Sequence, residues 1–343
     1  VVEMSTLVEQ ARALISGRLS SEHSSAAALR SLIAVGTSAG GARAKAVLAI
    51  HPETGEMRSG QLDAPAGFEH WLLKFDGMGA DRELGASQHY GRIEYAYHRM
   101  ARLAGIRMSD CRLHLENGRA HFMTRRFDRE GGQTRHHMQT LCAMAHLDYK
   151  KKATHSYGQL FATIIQLGLP YADLEEAFRR MVFNVMGRNC DDHTKNFSFL
   201  LRQGSSRWEL APAYDVTFAH NPKGEWTNQH LLAVNGKFRD IQTGDLLADA
   251  DRFGIGSAKR VIAEVRAAIN RWPEFAAEAG LPEAQTHEIQ SHLRLLNYPR
   301  PAAPLCPSLP RPAPQTRPAS LAALPAARAL EHEPCHQAST LAV

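Results

Sequence analysis

Between residues 188 and 196 the chain reads Arg-Asn-Cys-Asp-Asp-His-Thr-Lys-Asn, bringing carboxylates, an imidazole, an ammonium and a carboxamide into one short stretch. Asp191 and Asn196 stand in it as Asp-x-x-x-x-Asn, and nineteen residues after Asn196 lies Asp215, in Ala211-Pro212-Ala213-Tyr214-Asp215-Val216. One carboxylate placed to take a proton from a hydroxyl, with an amide oxygen and a second carboxylate to hold a divalent cation, is the equipment of phosphoryl transfer. The Asp-to-Asn interval is that of base and metal-binding amide in a kinase catalytic loop. Hard oxygen ligands, with no cysteine or histidine set, suit magnesium better than zinc. The reading is therefore Asp191 as catalytic base and Asn196 with Asp215 as metal ligands. A blander reading is open for each aspartate alone: Asp191 and Asp192 cap the preceding helix or the following turn, and Asp215 sits in a loop.

Two neighbours join the catalytic candidates. His193 either orients Asp191 or holds the loop, and Lys195 either neutralises phosphate charge or is solvated. Trp71-Leu72-Leu73-Lys74-Phe75 places a lysine inside an apolar strand pattern. A lysine facing the core is costly unless an anion meets it. ATP phosphate and Glu94 on the next helix would meet Lys74, as in the strand-lysine and helix-glutamate pair of kinases. The alternatives are a solvated strand face for Lys74 and a merely exposed Glu94. Gly36-Thr37-Ser38-Ala39-Gly40-Gly41-Ala42-Arg43-Ala44-Lys45 lies between two apolar runs, and its glycines let backbone amides approach phosphate oxygens. It lacks Gly-Lys-Ser/Thr, so it is no Walker loop, and a plain turn between strands fits it too. It also spells Gly-x-Ser-x-Gly from Gly36 to Gly40, but a hydrolase nucleophile elbow needs a helix directly after Ser38, where a strand pattern follows instead.

The elements that must position these groups are legible around them. Apolar runs predict strands over Ser31–Val35, Ala46–Ile50 and His70–Phe75. Arg92 to Ile106 has helical spacing, and Arg112–Leu115 with Arg119–Met123 alternate around Asn117-Gly118 as a hairpin. Asp173 to Gly187 is strongly amphipathic and ends where the charged stretch begins. A second hairpin is expected from Asn196–Leu201 and Trp208–Ala211, closing with Asp215 beside Asn196. Ser257–Arg271 and Glu283–Leu296 read as further helices. Residues 299–343 hold ten of the seventeen prolines, a composition that cannot repay ordering entropy by burial. The expected division is thus 1–30, helical, which the family resemblance given below makes the remnant of an N-terminal subdomain; 31–134, a β-rich lobe; 135–298, a helical catalytic lobe; and 299–343, a disordered tail.

Composition narrows the class. With 44% hydrophobic and 22% charged residues the chain is that of an ordinary globular protein. No apolar run reaches the length of a membrane span, and no signal-peptide pattern opens the sequence. Five widely spaced cysteines predict reduced thiols and a cytoplasmic location. A net charge of +5, scattered, gives no nucleic-acid patch. The one adjacent histidine pair, His136-His137, reads as a solvated loop rather than a metal site.

In this order these pieces resemble the HipA family of serine/threonine protein kinases, the toxin half of bacterial toxin–antitoxin pairs. The resemblance rests on Gly36–Lys45, Trp71–Phe75, Arg126-Phe127-Asp128-Arg129, Asp191-Asp192-His193-Thr194-Lys195-Asn196-Phe197-Ser198 and Leu210–Val216, and covers roughly residues 30–298. It implies an α+β, protein-kinase-like two-lobe fold, with a small β-rich N-lobe and a larger, mainly helical C-lobe, and ATP and magnesium as cofactors. Asp191 is then the catalytic base, with Asn196 and Asp215 as magnesium ligands. Lys74 is the ATP-phosphate lysine, and Phe127 lies at the hinge near the adenine. Ser38, Gly40, Gly41 and Lys45 belong to the glycine-rich loop. Ser38 matches a serine that the family autophosphorylates, which ejects that loop and silences the kinase. Implied partners are a helix-turn-helix antitoxin (HipB-like), DNA only through that antitoxin, and a protein substrate such as glutamyl-tRNA synthetase. Against the family pattern the N-terminal subdomain is mostly missing, the proline-rich tail is foreign, and Arg125 and Arg126 stand at the hinge where an acidic residue can occur. Two alternatives remain: a small-molecule phosphotransferase, and an inactive truncated paralogue that only binds its antitoxin.

Overall fold

Alternation and turn chemistry build the first part of the chain. The computed structural model describes residues 45–76, 89–116 and 119–296. The expected helices over 1–30, the run Ser31–Val35, the glycine cluster with Ser38, Gly40 and Gly41, the Asn117-Gly118 turn and the 299–343 tail lie outside them. Five strands form one antiparallel sheet: β1 (Lys45–Ile50), β2 (Met57–Ser59), β3 (Glu69–Lys74), β4 (Cys111–Glu116) and β5 (Arg119–Arg125), in the order β2-β1-β3-β5-β4. The β4–β5 register pairs Glu116 with Arg119, as the expected hairpin requires. Lys45 pairs with Lys74 across β1 and β3, so both lysines leave the same face.

Helix α1 (Tyr90–Leu103) crosses this sheet. It begins two residues before and ends three residues before the span that apolar spacing predicts, because the chain turns out at Gly105, in the left-handed region at φ 83°. Gly91 is where helix and sheet meet most closely. A Cβ there would come within 2.0 Å of the Ala120 carbonyl oxygen. The buried face of α1 also joins the helical core, with Tyr97 edge-on to Trp272 at 5.3 Å between ring centroids.

The rest is mainly helical. A short strand β6 (His137–Thr140) precedes α2 (Tyr157–Gln166), whose start is closed by a Ser156/Gln159 capping box. Helix α3 (Tyr171–Met186) runs through the centre and is buried from Ala177 to Met186 on all sides. Strands β7 (Ser198–Leu201) and β8 (Trp208–Leu210) form the second expected hairpin, with β6 added on its other edge. Then follow α4 (Thr243–Arg252), α5 (Ala258–Ile269), α6 (Trp272–Glu278) and α7 (Glu283–His292). The helix expected over Ser257–Arg271 stops at Ile269, and Trp272-Pro273 starts another, proline being favourable in a first turn. Glu283 to Leu296 is helical only to His292.

Three further expectations are corrected. Asn196 belongs to a single 3-10 turn, Thr194–Asn196, rather than to the hairpin strand. Between Leu210 and Asp215 the chain is irregular apart from an isolated Met108–Ala213 bridge, so no strand runs on to Asp215. His136 is not solvated: it is buried, its Nδ1 accepting from the Gln203 backbone N–H at 3.2 Å and its Nε2 lying 3.2 Å from Glu130. Among the described residues no helix is long and apolar enough to cross a membrane.

Candidate active site

A cavity of about 340 Å³ opens between the five-stranded sheet and the helical part. Lys45, Lys74, Glu94, Phe127 and Asp215, all singled out by residue type and spacing or by the family resemblance, line it together. At its centre is Lys74, which is 6% exposed. Its ammonium donates to Glu94 Oε1 on α1 and to Asp215 Oδ1. The solvated-face alternative for Lys74 and the exposed one for Glu94 are thereby excluded. Burial opposes the charge on Lys74, but Asp215 and then Glu94 hold its pKa above the ordinary lysine value. Burial likewise works against the Asp215 carboxylate, yet Lys74, Lys45 and His193 hold it well below the usual carboxylate range. Asp215 takes a left-handed backbone conformation, φ 53°, which a non-glycine residue adopts at a cost.

The Asp191–Asn196 loop is fastened next to this cavity at both ends. Helix α3 stops at Gly187, whose carbonyl accepts from the buried Tyr97 hydroxyl at 2.6 Å. Arg188 then turns left-handed, and the Cys190 N–H donates to Ala219 O at 3.0 Å while the Ala219 N–H donates to Arg188 O at 3.1 Å. At the other end the Tyr214 hydroxyl donates to Lys195 O at 2.6 Å and meets Ser198 Oγ. The Ala211 N–H donates to Ser198 O at 2.9 Å. The blocks 188–198 and 211–219 are therefore stitched together by backbone hydrogen bonds, with Asn196 and Asp215 each next to a residue of the Lys195–Tyr214 contact.

Within the loop, Asn196 Nδ2 donates to the Asp191 carbonyl at 2.7 Å, closing the Asp-x-x-x-x-Asn turn. The Asp191 side chain is half exposed, and His193 Nε2 approaches its Oδ1 to 3.8 Å. His193 and Lys195 share one partner, Tyr149: the imidazole is edge-on to its ring at 5.6 Å and the ammonium lies 3.7 Å from its centroid. Asn196 lines a small space beside the main cavity, and both are walled by Ala213, Tyr214 and Val216. Asp191, His193 and Lys195 stand outside the cavity lining. Ser38, Gly40 and Gly41 lie outside the described residues.

Phe127 and Tyr214 pack against one another at 5.9 Å between centroids, and both line the cavity, giving it an apolar wall. Arg126 does not reach into it as an uncompensated charge: it forms two hydrogen bonds to Asp128, at 2.9 and 2.7 Å. Two groups that matter here have no local sequence signal. Tyr214 pins the loop through a contact nineteen residues back in sequence, and Asp192 is fully buried rather than capping a helix.

The donor types suit a hard divalent cation, for Asn196 and Asp215 offer oxygens rather than sulfur or imidazole nitrogen. The cavity volume falls in the range of small-molecule sites. Comparison with known proteins bears on the family and the fold. The sequence profile of the HipA-like C-terminal domain matches residues 37–273. The fold is similar to that of HipA from Shewanella oneidensis MR-1, solved with HipB and operator DNA, at a TM-score of 0.56 and 20% identity, over 74% of this chain and 62% of that one. The chain thus spans about 62% of the length of that relative. A weaker likeness, TM-score 0.41 at 13% identity over 72% of this chain and 93% of the other, links it to the Helicobacter pylori proinflammatory kinase CtkA. A search of curated proteins returns no significant match. With the profile covering well over half of its length, the chain belongs to the HipA-like C-terminal domain family.

Proposed function

We propose that this protein is an ATP-dependent serine/threonine protein kinase of HipA type. The observation that carries the reading is the convergence of Lys74, Glu94 and Asp215 in one cavity, with the Asp191–Asn196 loop stitched to the Asp215 segment beside it. Residues 31–134 then act as the nucleotide-binding lobe and 135–298 as the catalytic lobe.

Each side chain has a task set by its surroundings. Lys74, kept cationic by Glu94, binds phosphate oxygens once Asp215 turns to the metal. Asn196 uses its amide nitrogen on the Asp191 carbonyl, so its oxygen is the end that would face a cation, and Asp215 supplies the second oxygen. Magnesium so held would neutralise charge on the transferring phosphoryl group. Asp191, exposed enough to meet a protein acceptor, takes the hydroxyl proton at its carboxylate. His193 supports Asp191 from 3.8 Å, and Lys195 adds positive charge at the mouth. Lys45 places a second ammonium on the phosphate side, and Phe127 with Tyr214 offers the base an apolar wall.

The acceptor is a serine or threonine of another protein, such as an aminoacyl-tRNA synthetase, and Ser38 is a site of autophosphorylation. By analogy with the HipA–HipB–DNA assembly, the partner is a helix-turn-helix antitoxin that carries the chain to DNA indirectly. Incubation with γ-labelled ATP, magnesium and cell lysate tests the reading. Label in protein, on serine or threonine and including Ser38, is expected. Label only in small molecules would favour the phosphotransferase alternative, and no transfer with intact nucleotide binding would favour an inactive antitoxin-binding paralogue.

A further inference from the structure

Asp192, the neighbour of the candidate base, is not among the residues that line the main cavity; it shares with Asn196 the small space beside it, and none of the chemistry above uses it. Its side chain has no exposed surface. Oδ2 accepts from the Tyr157 hydroxyl at 2.7 Å and lies 2.9 Å from His230 Nδ1, while Oδ1 accepts the Leu231 N–H at 2.7 Å. The Tyr157 oxygen accepts in turn from Asn184 Nδ2 at 3.0 Å, and Asn184 Oδ1 accepts from Asn189 Nδ2 at 2.9 Å. One carboxylate therefore gathers α2, α3, the entry of the 188–196 loop and the 230–231 segment.

A buried ion pair is a poor way to gain stability, since apolar side chains of similar volume often do as well or better. What such a group fixes well is geometry, because both oxygens have directed partners. The backbone at Asp191 is bracketed on every side. The Cys190 N–H is tied to Ala219, the Asp191 carbonyl to Asn196, and the next side chain to Tyr157, His230 and Leu231. We propose that Asp192 is a positioning residue: it sets the orientation of Asp191 and couples it to the 230–231 segment, so that phosphoryl transfer depends on a side chain that touches neither nucleotide nor acceptor. The inference rests on the kinase reading. The electrostatics agree with the geometry. Burial alone would lower the His230 pKa, and Asp192 followed by Cys190, whose Sγ lies 3.9 Å from Nε2, pushes it up to about 10.

The test is Asp192→Asn in the full chain, which keeps the shape and removes the charge. Because a misplacement of about 1 Å can cost roughly 100-fold, kcat is expected to fall by about 10- to 100-fold. The KM for ATP and the Mg-nucleotide rise in melting temperature should stay those of the parent, and amide exchange over 190–196 should quicken while that over 160–166 does not. A merely structural role would lower stability without separating kcat from KM. A parent-like kcat, in a protein that Asp191→Asn silences, would overturn the proposal. If Asp192→Asn does not fold, Asp192→Asn combined with His230→Asn, neutral at both partners, replaces it, with the same expected and contrary results. If the parent itself transfers no phosphate, the kinase reading fails, and exchange alone decides: unchanged protection at 190–196 sinks the positioning role.

Discussion

A lysine ammonium inside a protein is tolerated when carboxylates meet it, and Lys74 has two, one from α1 and one from the segment after β8. Removing the cation takes from buried Glu94 the ammonium it pairs with. Lys74→Met is therefore expected to lower unfolding stability by about 3 kcal/mol and to abolish Mg-nucleotide binding; urea denaturation and calorimetry check the two effects. His230 makes a different kind of prediction. Its folded pKa, about 10, is raised above that of an unfolded histidine, so its pairing with Asp192 stabilises fully at low pH and is lost as pH rises through the folded value. Asp192 and Cys190 face it directly, with Tyr157 on the same carboxylate and His220 on the same thiol. The melting temperature of the parent should fall more steeply between about pH 7 and pH 10 than that of the Asp192→Asn, His230→Asn double variant. Equal slopes would mean that His230 is neutral in the folded protein.

At the scale of elements, the cavity depends on how closely α1 lies on β5. Gly91→Ala would drive a methyl group into the Ala120 carbonyl, which is backbone and cannot move aside. The helix must lift, carrying Glu94 away from Lys74. The expected result is a loss of roughly 1–3 kcal/mol, typical of overpacking, together with weaker nucleotide binding; Gly91→Ala with parent-like affinity would show that the helix has slack. The elements carrying strong local signals are those legible in the sequence. The three-and-four spacing of Leu174, Ala177, Phe178, Met181 and Val185 marks α3, and Asn117-Gly118 marks the β4–β5 hairpin. Helix α2 is harder to see, because its Ser156-x-x-Gln159 capping box stands in a stretch with little polar contrast. The candidate site divides in the same way. Lys74, Asp191, Asn196 and Asp215 are visible because chemistry fixes their types and intervals. The tasks of Tyr214 and Asp192 are not, since their partners lie far off in sequence, at Lys195, Tyr157, His230 and Leu231. An aspartate after a helix looks locally like a cap.

Across the whole molecule, α1 belongs to both parts: Glu94 serves the sheet-side cavity, while Tyr97 packs on Trp272 in the helical core. Ligand bound between the parts must therefore stabilise the entire folded unit. Mg-ATP at about 100 times its dissociation constant should add roughly 2.7 kcal/mol, seen as one cooperative transition moved upward in calorimetry. A rise confined to a minor transition would mean that the sheet melts separately.

The central claim is that Asp191 takes the acceptor proton while Lys74, Asn196 and Asp215 hold the nucleotide and its metal. Single-turnover transfer of γ-label from ATP, compared between the parent and Asp191→Asn, tests it most directly. Loss of a general base predicts transfer slower by about 100-fold or more, with nucleotide affinity unchanged. Transfer by Asp191→Asn at the parental rate would contradict the account.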